Sequence, residues 1–180
     1  MNVRALFLDR DGVINVNHGH VGTVDRFEFI PGAFELAREA NRRGYLVIVV
    51  TNQAGIAKGY YSEQQFLDLM SWMGGEFEKR HAHIDGVYYC PHHPEAGLGP
   101  YKQACACRKP APGMLLSAAN ERQIDLRQSI FIGDSETDRQ AADAAGIGKF
   151  LFFGRAGASG AMEFSSLTDY AQVFRAAVEQ

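Results

Sequence analysis

Short apolar runs alternate along this chain with amphipathic stretches of helical period, and this alternation restricts the possible folds more than any other feature. Tyr45 to Val50 is an unbroken apolar run that is half valine, which is typical of a strand buried on both faces. Four further strands are predicted, at Val3–Leu8, Val87–Tyr89, Ser129–Ile132 and Lys149–Phe153. Helical periodicity separates them, so the sequence predicts an α/β domain with a doubly wound parallel sheet and helices on both faces.

The ends of the predicted helices carry recognisable signals. Ser62-x-x-Gln65 predicts a capping box, and apolar residues at helical spacing follow it. Pro112 occupies what we expect to be the first position of another helix. Gly44 and Gly146 follow two other amphipathic stretches and predict their C-terminal ends.

Length and composition predict a single domain spanning residues 1–180. Residues 13–30 and 154–160 lack periodicity and are predicted to be loops. The net charge of −3 argues against a general nucleic-acid binder, which would present a basic face. No apolar run is long enough to cross a bilayer or to act as a signal peptide, so we expect a cytoplasmic protein.

Acidic side chains follow the predicted strands where each strand ends. Asp9 and Asp11 follow the first strand, Thr51 lies at the end of the second, and Asp134 follows the fourth. Carboxyl ends of parallel strands meet at one edge of a sheet, so these groups should converge. Converging carboxylates repel one another and favour a cation, for which oxygen ligands indicate Mg²⁺. With the ammonium of Lys109, such a site suits phosphate chemistry, in which a carboxylate can attack phosphorus directly.

Taken singly, each of these residues has a simpler explanation. An aspartate at the end of a strand is usually a turn former or a helix cap. The Asp9-x-Asp11-Gly12 segment could also begin a calcium loop, but the other ligands of an EF-hand are absent. The joint occurrence of four such features in order favours the catalytic interpretation.

Four segments together resemble the motifs of the haloacid-dehalogenase (HAD) superfamily of phosphatases. They are Phe7-Leu8-Asp9-Arg10-Asp11-Gly12-Val13-Ile14, Val50-Thr51-Asn52-Gln53, Arg108-Lys109-Pro110 and Gly133-Asp134. The resemblance extends from residue 3 to about residue 146 and implies a HAD-like Rossmannoid fold. It also implies a phosphoric monoester hydrolase.

The resemblance implies a role for each matching residue. Asp9 would be the nucleophile that becomes phosphorylated, and Asp11 would be the general acid and then the general base. Thr51 and Lys109 would bind the phosphoryl oxygens. Mg²⁺ would be bound by Asp9, Asp134 and the main-chain carbonyl of Asp11. Arg10 is expected to point away from the site, because neighbouring residues on a strand alternate faces.

All three cysteines lie between residues 90 and 107. Cys90-x-His92 and Cys105-x-Cys107 offer four ligands from two short turns, which suits a structural, tetrahedral Zn²⁺. His93 competes with His92 as the fourth ligand, and the matching spacing of the two pairs favours His92. The odd number of cysteines argues against a secreted disulfide framework, and a dithiol switch between Cys105 and Cys107 is the minor alternative.

The predicted zinc loop, residues 90–108, narrows the resemblance. Within the superfamily it resembles the heptose-1,7-bisphosphate 7-phosphatases and the histidinol phosphatases that share the loop, which lack a large cap domain. The resemblance implies removal of the C7 phosphate in heptose precursor synthesis for the lipopolysaccharide core. Substrate contacts are then expected from Asn17, His18, Gly19, His20, Asn52, Gln53, Ala54, Arg108 and Lys109. Ser135 stands where close relatives often carry lysine, and Ala54 where they often carry serine.

Several alternatives remain at this point. Histidinol phosphate is the alternative substrate within the same class. A phosphoryl-accepting receiver domain and an inactive, zinc-stabilised binding module are the non-enzyme alternatives. The expected partner is a small sugar bisphosphate, with no nucleic acid, no membrane and a monomeric state.

Overall fold

Six parallel strands form the centre of the structure, a computed structural model that describes residues 3–154, 163–164 and 166–178. The strands are β1 (Arg4–Leu8), β2 (Tyr45–Asn52), β3 (Gly86–Cys90), β4 (Ile130–Gly133), β5 (Lys149–Phe153) and β6 (Glu163–Phe164). Their order is β3-β2-β1-β4-β5-β6, and each neighbouring pair is parallel. The predicted doubly wound sheet is confirmed. Its strand order reverses direction at β1 and β4, which is where such sheets bind ligands.

Six α-helices are described. They are α1 (Ala33–Arg42), α2 (Ala54–Ala57), α3 (Glu63–Glu78), α4 (Gly113–Arg122), α5 (Glu136–Ala145) and α6 (Leu167–Val178). The predicted capping box forms at Ser62 and Gln65, and Gly146 ends α5 in the left-handed conformation. Pro112 is the N-cap residue of α4 rather than its first helical residue, so the helix begins one position later than predicted.

Side chains that alternate along each strand separate the core into two layers. In β1, Leu6 and Leu8 pack into a layer that includes buried residues of α1, α3 and α6. Ala5 and Phe7 point to the opposite layer, which includes residues of α4 and α5. Because both faces are covered, the interior strands carry apolar residues without alternation, as the run at Tyr45–Val50 predicted.

The segment predicted as a loop after β1 is more ordered than expected. We call residues 12–30 the flap. Its two halves lie side by side, because Val16 N donates to Glu28 O at 2.8 Å and Ile30 N donates to Ile14 O at 2.9 Å. Val13, Ile14 and Val21 are fully buried, so the flap is attached to the core by apolar side chains. These apolar residues have no regular period, which is why the sequence predicted only a loop.

Two short elements, α2 and β6, were not predicted from the sequence. They have four and two residues, too few to establish a period. The predicted loop at 154–160 lies, apart from Gly154, outside the described residues. The described part of the chain contains no large cap domain, and no helix in it has both the length and the hydrophobicity needed to cross a bilayer.

Candidate active site

The candidate site lies at the carboxyl ends of β1 and β4, where the strand order reverses. Asp9 directly follows β1, and its main-chain N–H donates to Ile132 O on β4 at 3.0 Å. Asp134 directly follows β4. Gly12 has a φ of +91°, and a Cβ atom at this position would lie 1.9 Å from Asp134 Oδ2. Only glycine permits this turn to approach Asp134 so closely.

Three carboxylates meet at this edge of the sheet. Asp9, Asp134 and Asp138 each offer an oxygen, and these oxygens all lie within 4.8 Å of one another. Lys109 Nζ lies 2.9 Å from Asp9 Oδ1 and 2.6 Å from Asp138 Oδ1. Asp138 is fully buried, and Asp9 and Lys109 are almost so. One ammonium is therefore paired with two buried carboxylates, and the part-buried carboxylate of Asp134 lies close to both.

The pKa values reflect this excess of negative charge. Burial raises the pKa of Asp9 well above its usual value, and the charges of Asp138 and Asp134 raise it further against the opposing effect of Lys109. Burial and the charge of Asp138 raise the pKa of Asp134 to about 6. Burial lowers the pKa of Lys109, but the carboxylates of Asp9 and Asp138 outweigh it and raise this pKa overall. The cluster thus lacks positive charge, and its oxygen ligands suit a hard dication such as Mg²⁺.

Asp138 is a site residue that the sequence reasoning missed. Its Oδ2 accepts hydrogen bonds from the main-chain N–H groups of Asp134 and Ser135, both at 3.2 Å, and from Ser135 Oγ at 2.7 Å. Its other oxygen pairs with Lys109. These contacts make Asp138 an anchor for Lys109 and for the Asp134 turn. The Ser135-x-x-Asp138 capping box was the available signal, but it was not used.

Main-chain contacts fix the position of Lys109. Asn52 Nδ2 donates to Lys109 O at 3.1 Å, and Lys109 N donates to Asn52 Oδ1 at 3.0 Å. Lys109 Nζ also donates to Val50 O at 3.0 Å, which ties it to β2. Thr51 is 1% exposed, and its hydroxyl accepts a hydrogen bond from Gln53 Nε2 at 2.8 Å. The end of β2 therefore orients both residues predicted to bind phosphoryl oxygens.

The carboxylates open into a cavity of about 210 Å³. It is lined by Asp9, Asp11, Asn17, Thr51, Asn52, Lys109, Asp134, Ser135, Thr137 and Asp138. Of the other predicted substrate-binding residues, His18, Gly19, His20, Gln53, Ala54 and Arg108 are not among those that line it. Gly19 and His20 line a neighbouring cavity of about 430 Å³ instead.

Three of the predicted substrate-binding residues that do not line the catalytic cavity make other contacts. His18 Nε2 lies 2.9 Å from Glu28 Oε2. Arg26 Nη2 donates to the main-chain carbonyls of His18 and Gly19, at 2.8 and 3.1 Å, and so holds this part of the flap in shape. Arg108 Nη1 donates to His92 O at 3.1 Å, which connects it to the zinc loop.

Asp11 lines the cavity, but its carboxylate is not part of the carboxylate cluster. It accepts hydrogen bonds from Arg10 Nη2 at 2.8 Å, Asn15 Nδ2 at 3.0 Å and Gln53 Nε2 at 3.1 Å. Arg10 was predicted to point away from the site, and it is not among the residues that line the cavity. The sequence reasoning did not anticipate that its guanidinium would bind the carboxylate of Asp11. The alternation of faces ends with β1 at Leu8, and Arg10 lies in the turn that follows.

A second cluster comprises the four predicted zinc ligands. The Sγ atom of Cys90 lies 3.4 Å from that of Cys105 and 3.1 Å from that of Cys107, and His92 Nδ1 lies 3.5 Å from Cys107 Sγ. All four ligand atoms are within 4.8 Å of one another, a spacing that suits a closed tetrahedral Zn²⁺ site. His93 is not in the cluster, because its Nδ1 accepts hydrogen bonds from the N–H groups of Glu95 and Ala96.

The comparisons with known proteins agree with this geometry. A family model described as HAD-hydrolase-like matches residues 106–153. The chain is 52% identical to a D-glycero-β-D-manno-heptose-1,7-bisphosphate 7-phosphatase of Vibrio cholerae over 80% of this chain and 77% of that protein. It is 54% identical to a D-glycero-α-D-manno-heptose-1,7-bisphosphate 7-phosphatase of Burkholderia mallei over 84% and 80%.

The comparison of structures leads to the same group. The crystal structure of a D,D-heptose 1,7-bisphosphate phosphatase from B. bronchiseptica, complexed with magnesium and phosphate, superposes with a TM-score of 0.83. The sequence identity is 26%, and the superposition covers 97% of this chain and 99% of that one.

The raised pKa of Asp134 predicts a pH-dependent stability for the protein in metal-free buffer. A carboxyl whose folded pKa is raised from 3.8 to about 6 stabilises the fold below its unfolded pKa, and this contribution is lost as the pH rises through about 6. Asp134→Asn should remove the effect, which is worth about 1–3 kcal/mol. Urea unfolding at about pH 5 and about pH 7 measures it, and equal pH dependence in the variant and the wild type would contradict the assignment.

Proposed function

The chain belongs to the heptose-1,7-bisphosphate 7-phosphatase family of HAD-like hydrolases, and we propose that it hydrolyses the C7 phosphate ester of D-glycero-D-manno-heptose 1,7-bisphosphate. The observation that carries the substrate assignment is the identity of 52% and 54% to phosphatases of this sugar bisphosphate. These two relatives act on opposite anomers, so the proposal does not specify the anomer. The product would serve heptose precursor synthesis for the lipopolysaccharide core.

In the proposed first step, Asp9 attacks the phosphorus atom of the C7 phosphate. Its Oδ1 is held by Lys109 Nζ at 2.9 Å and by the N–H of Arg10 at 2.8 Å, which leaves Oδ2 to form the new bond. A bond forms between Asp9 Oδ2 and phosphorus, and the bond from phosphorus to the C7 oxygen breaks. Asp11 gives a proton to that oxygen as it leaves.

In the second step, water hydrolyses the aspartyl phosphate. Asp11, now a carboxylate, takes a proton from the water as its oxygen attacks phosphorus. The bond between phosphorus and Asp9 breaks, inorganic phosphate is released, and both aspartates return to their starting states. Throughout, Lys109 and the hydroxyl of Thr51 donate to the phosphoryl oxygens and stabilise their charge.

The residues present fit a magnesium ion. Asp9 and Asp134, with the main-chain carbonyl of Asp11, would hold it, whereas the oxygens of Asp138 are already engaged by Lys109 and the Asp134 turn. When bound, the ion supplies the positive charge that a phosphoryl group needs beside three carboxylates. Magnesium and phosphate occur together in the B. bronchiseptica phosphatase.

The cysteine cluster fits a structural zinc ion. The ion would be held by Cys90, His92, Cys105 and Cys107, and four protein ligands leave no coordination position open for a catalytic water. Although burial raises it, hydrogen bonds from Cys107 and Cys90 lower the pKa of Cys105 to about 6, which favours the thiolate that a metal requires. The ion would fix residues 90–107, which lead directly into Arg108 and Lys109.

Some features of the proposal rest on the sequence alone. The single domain over residues 1–180, the cytoplasmic location and the monomeric state stay predictions. The substrate-binding role of His18, Gly19, His20 and Ala54 is retained as part of the proposal. For the flap residues, it requires the heptose to extend beyond the catalytic cavity toward the flap. Gln53 was also predicted to bind substrate, but its buried amide is already hydrogen-bonded to Asp11, Thr51 and Tyr61.

Substitution of the two catalytic aspartates tests the chemistry. Asp9→Asn should abolish turnover of the heptose bisphosphate, because an amide is a poor nucleophile. Asp11→Asn should lower kcat by about 10²–10⁴-fold, the usual contribution of a general acid or base. Phosphate release is measured with Mg²⁺ present, and the exposed Asp143→Asn on α5 serves as the control. Near-normal turnover by a folded Asp9→Asn variant would overturn the covalent mechanism.

Metal analysis tests the zinc proposal. Protein purified under reducing conditions without added metal should contain about one Zn²⁺ per chain, and its activity should still require Mg²⁺. Cys107→Ser should lose the zinc and lower the melting temperature, because a structural zinc contributes directly to folding free energy. The absence of zinc from fresh protein would contradict the proposal. Activity with zinc alone would instead make this ion catalytic.

Substitution of Arg108 tests substrate selection. We propose that Arg108 binds the C1 phosphate. It directly precedes Lys109, and its guanidinium makes only one described hydrogen bond, to His92 O, so other N–H donors can bind a phosphate. Arg108→Ala should reduce kcat/KM about 10–100-fold for the bisphosphate, and much less for p-nitrophenyl phosphate. Equal losses on both substrates would mean that Arg108 only braces the zinc loop. Wild-type preference for histidinol phosphate would instead favour that alternative substrate.

A further inference from the structure

We propose that Arg10, Gln53 and Tyr61 are positioning residues that hold the carboxylate of Asp11 with Oδ2 directed at the leaving oxygen. The proposal rests on the proposed function, because it requires Asp11 to act as the general acid. It assigns a role to a buried cation and a buried tyrosine that the phosphatase mechanism does not otherwise use.

Arg10 is a fixed cation behind Asp11. Its side chain is fully buried, and Nη2 donates to Asp11 Oδ1 at 2.8 Å and to Val21 O at 2.6 Å. The guanidinium lies over the rings of Phe27 and Phe66, at 5.8 and 5.6 Å from their centres. Contacts to the flap and to α3 therefore leave the guanidinium little freedom to move, and it ties Asp11 to both elements.

Gln53 contacts the other oxygen of Asp11 through the NH₂ end of its amide. Its Nε2 donates to Asp11 Oδ2 at 3.1 Å and to Thr51 Oγ1 at 2.8 Å. In the ionised state that takes a proton from water, Asp11 only accepts hydrogen bonds, which favours this orientation of the amide. Tyr61 fixes this orientation by donating its hydroxyl proton to Gln53 Oε1 at 2.6 Å. Burial raises the pKa of Tyr61 to about 12, so the hydroxyl keeps that proton at neutral pH.

Two glycines make room for the ring of Tyr61. A Cβ atom on Gly22, in the flap, would lie 2.3 Å from Tyr61 Cδ1, and one on Gly55, in α2, would lie 2.4 Å from Tyr61 Cε1. The ring is therefore enclosed on two sides by main chain. This packing fixes the hydroxyl at Gln53, and through it the amide at Asp11.

The count of hydrogen bonds on Asp11 distinguishes its two oxygens. Oδ1 accepts from Arg10 and, at 3.0 Å, from Asn15 Nδ2, so both of its lone-pair positions are used. Oδ2 accepts from Gln53 alone among the described contacts and keeps one position open. We therefore assign proton transfer to Oδ2. A buried ion pair gives little net stability, so the Arg10–Asp11 pair is better explained by orientation than by stabilisation of the fold.

The test compares leaving groups of similar size and increasing basicity. It uses kcat/KM for p-nitrophenyl, phenyl and benzyl phosphate, a constant that reports departure of the leaving group rather than the later attack by water. p-Nitrophenolate leaves without protonation, whereas benzyl alkoxide requires a general acid. The variants are Arg10→Met, Arg10→Lys and Tyr61→Phe, with Tyr88→Phe as a control that also loses a tyrosine hydroxyl, here one bound to Glu121.

We expect Arg10→Met to reduce kcat/KM for benzyl phosphate at least about tenfold more than for p-nitrophenyl phosphate. Arg10→Lys should recover part of this difference, because it restores the charge. Tyr61→Phe should show the same trend at about threefold, since it removes one hydrogen bond and keeps the ring. Tyr88→Phe should affect all three substrates alike.

Equal losses on all three substrates in Tyr61→Phe would overturn the proposal, even if Arg10→Met fails to fold. Asp11→Asn separates this result from failure of the proposed function. If Asp11→Asn selectively lowers kcat/KM for benzyl phosphate and Tyr61→Phe does not, only the positioning role is wrong. If Asp11→Asn shows no dependence on the leaving group, Asp11 is not the general acid, and both the positioning role and the proposed acid–base steps are wrong.

Discussion

The structure depends on the balance of charge at one edge of its sheet. Asp9, Asp134 and Asp138 meet near the ammonium of Lys109, and of these four residues only Asp134 is part-buried rather than buried. Burial of carboxylates with too little positive charge is unfavourable, and the raised pKa values of Asp9 and Asp134 express that cost. The same deficit suits a site that receives a dication and then a phosphate. The excess of negative charge that is unfavourable for these carboxylates is therefore what the proposed chemistry requires.

Much of the remaining architecture determines where Lys109 and Asp11 lie. Lys109 follows the zinc loop directly, and Asn52 at the end of β2 holds its main chain on both sides. Asp11 is held between the flap and α3 through Arg10, and is connected to Thr51 through Gln53. In the proposed mechanism, the zinc loop would position the cation that binds the phosphoryl group, and the flap would position the proton donor.

The sequence predicted the sheet well because its strands are buried on both faces and its helices carry clear end signals. The positions of Asp9 and Asp134 were predicted from strand ends, and Lys109 was assigned to the same site from its place before a Pro-rich helix start. The cysteine spacing predicted the Cys/His cluster that could hold zinc. Asp138 and the contact between Arg10 and Asp11 were missed because they depend on contacts across a turn, which periodicity does not describe. The order within the flap was also missed, since Val13, Ile14 and Val21 are buried without any regular spacing.

The most direct test of the account is to identify the residue that carries the phosphoryl group during turnover. The protein is mixed with heptose bisphosphate and Mg²⁺, quenched in acid within the first turnover, digested and analysed by mass spectrometry. The account predicts one added phosphoryl group on the peptide that contains Asp9, with a larger amount in Asp11→Asn, where attack by water is slowed. A phosphoryl group on another residue, or turnover with no phosphorylated peptide in either protein, would contradict it.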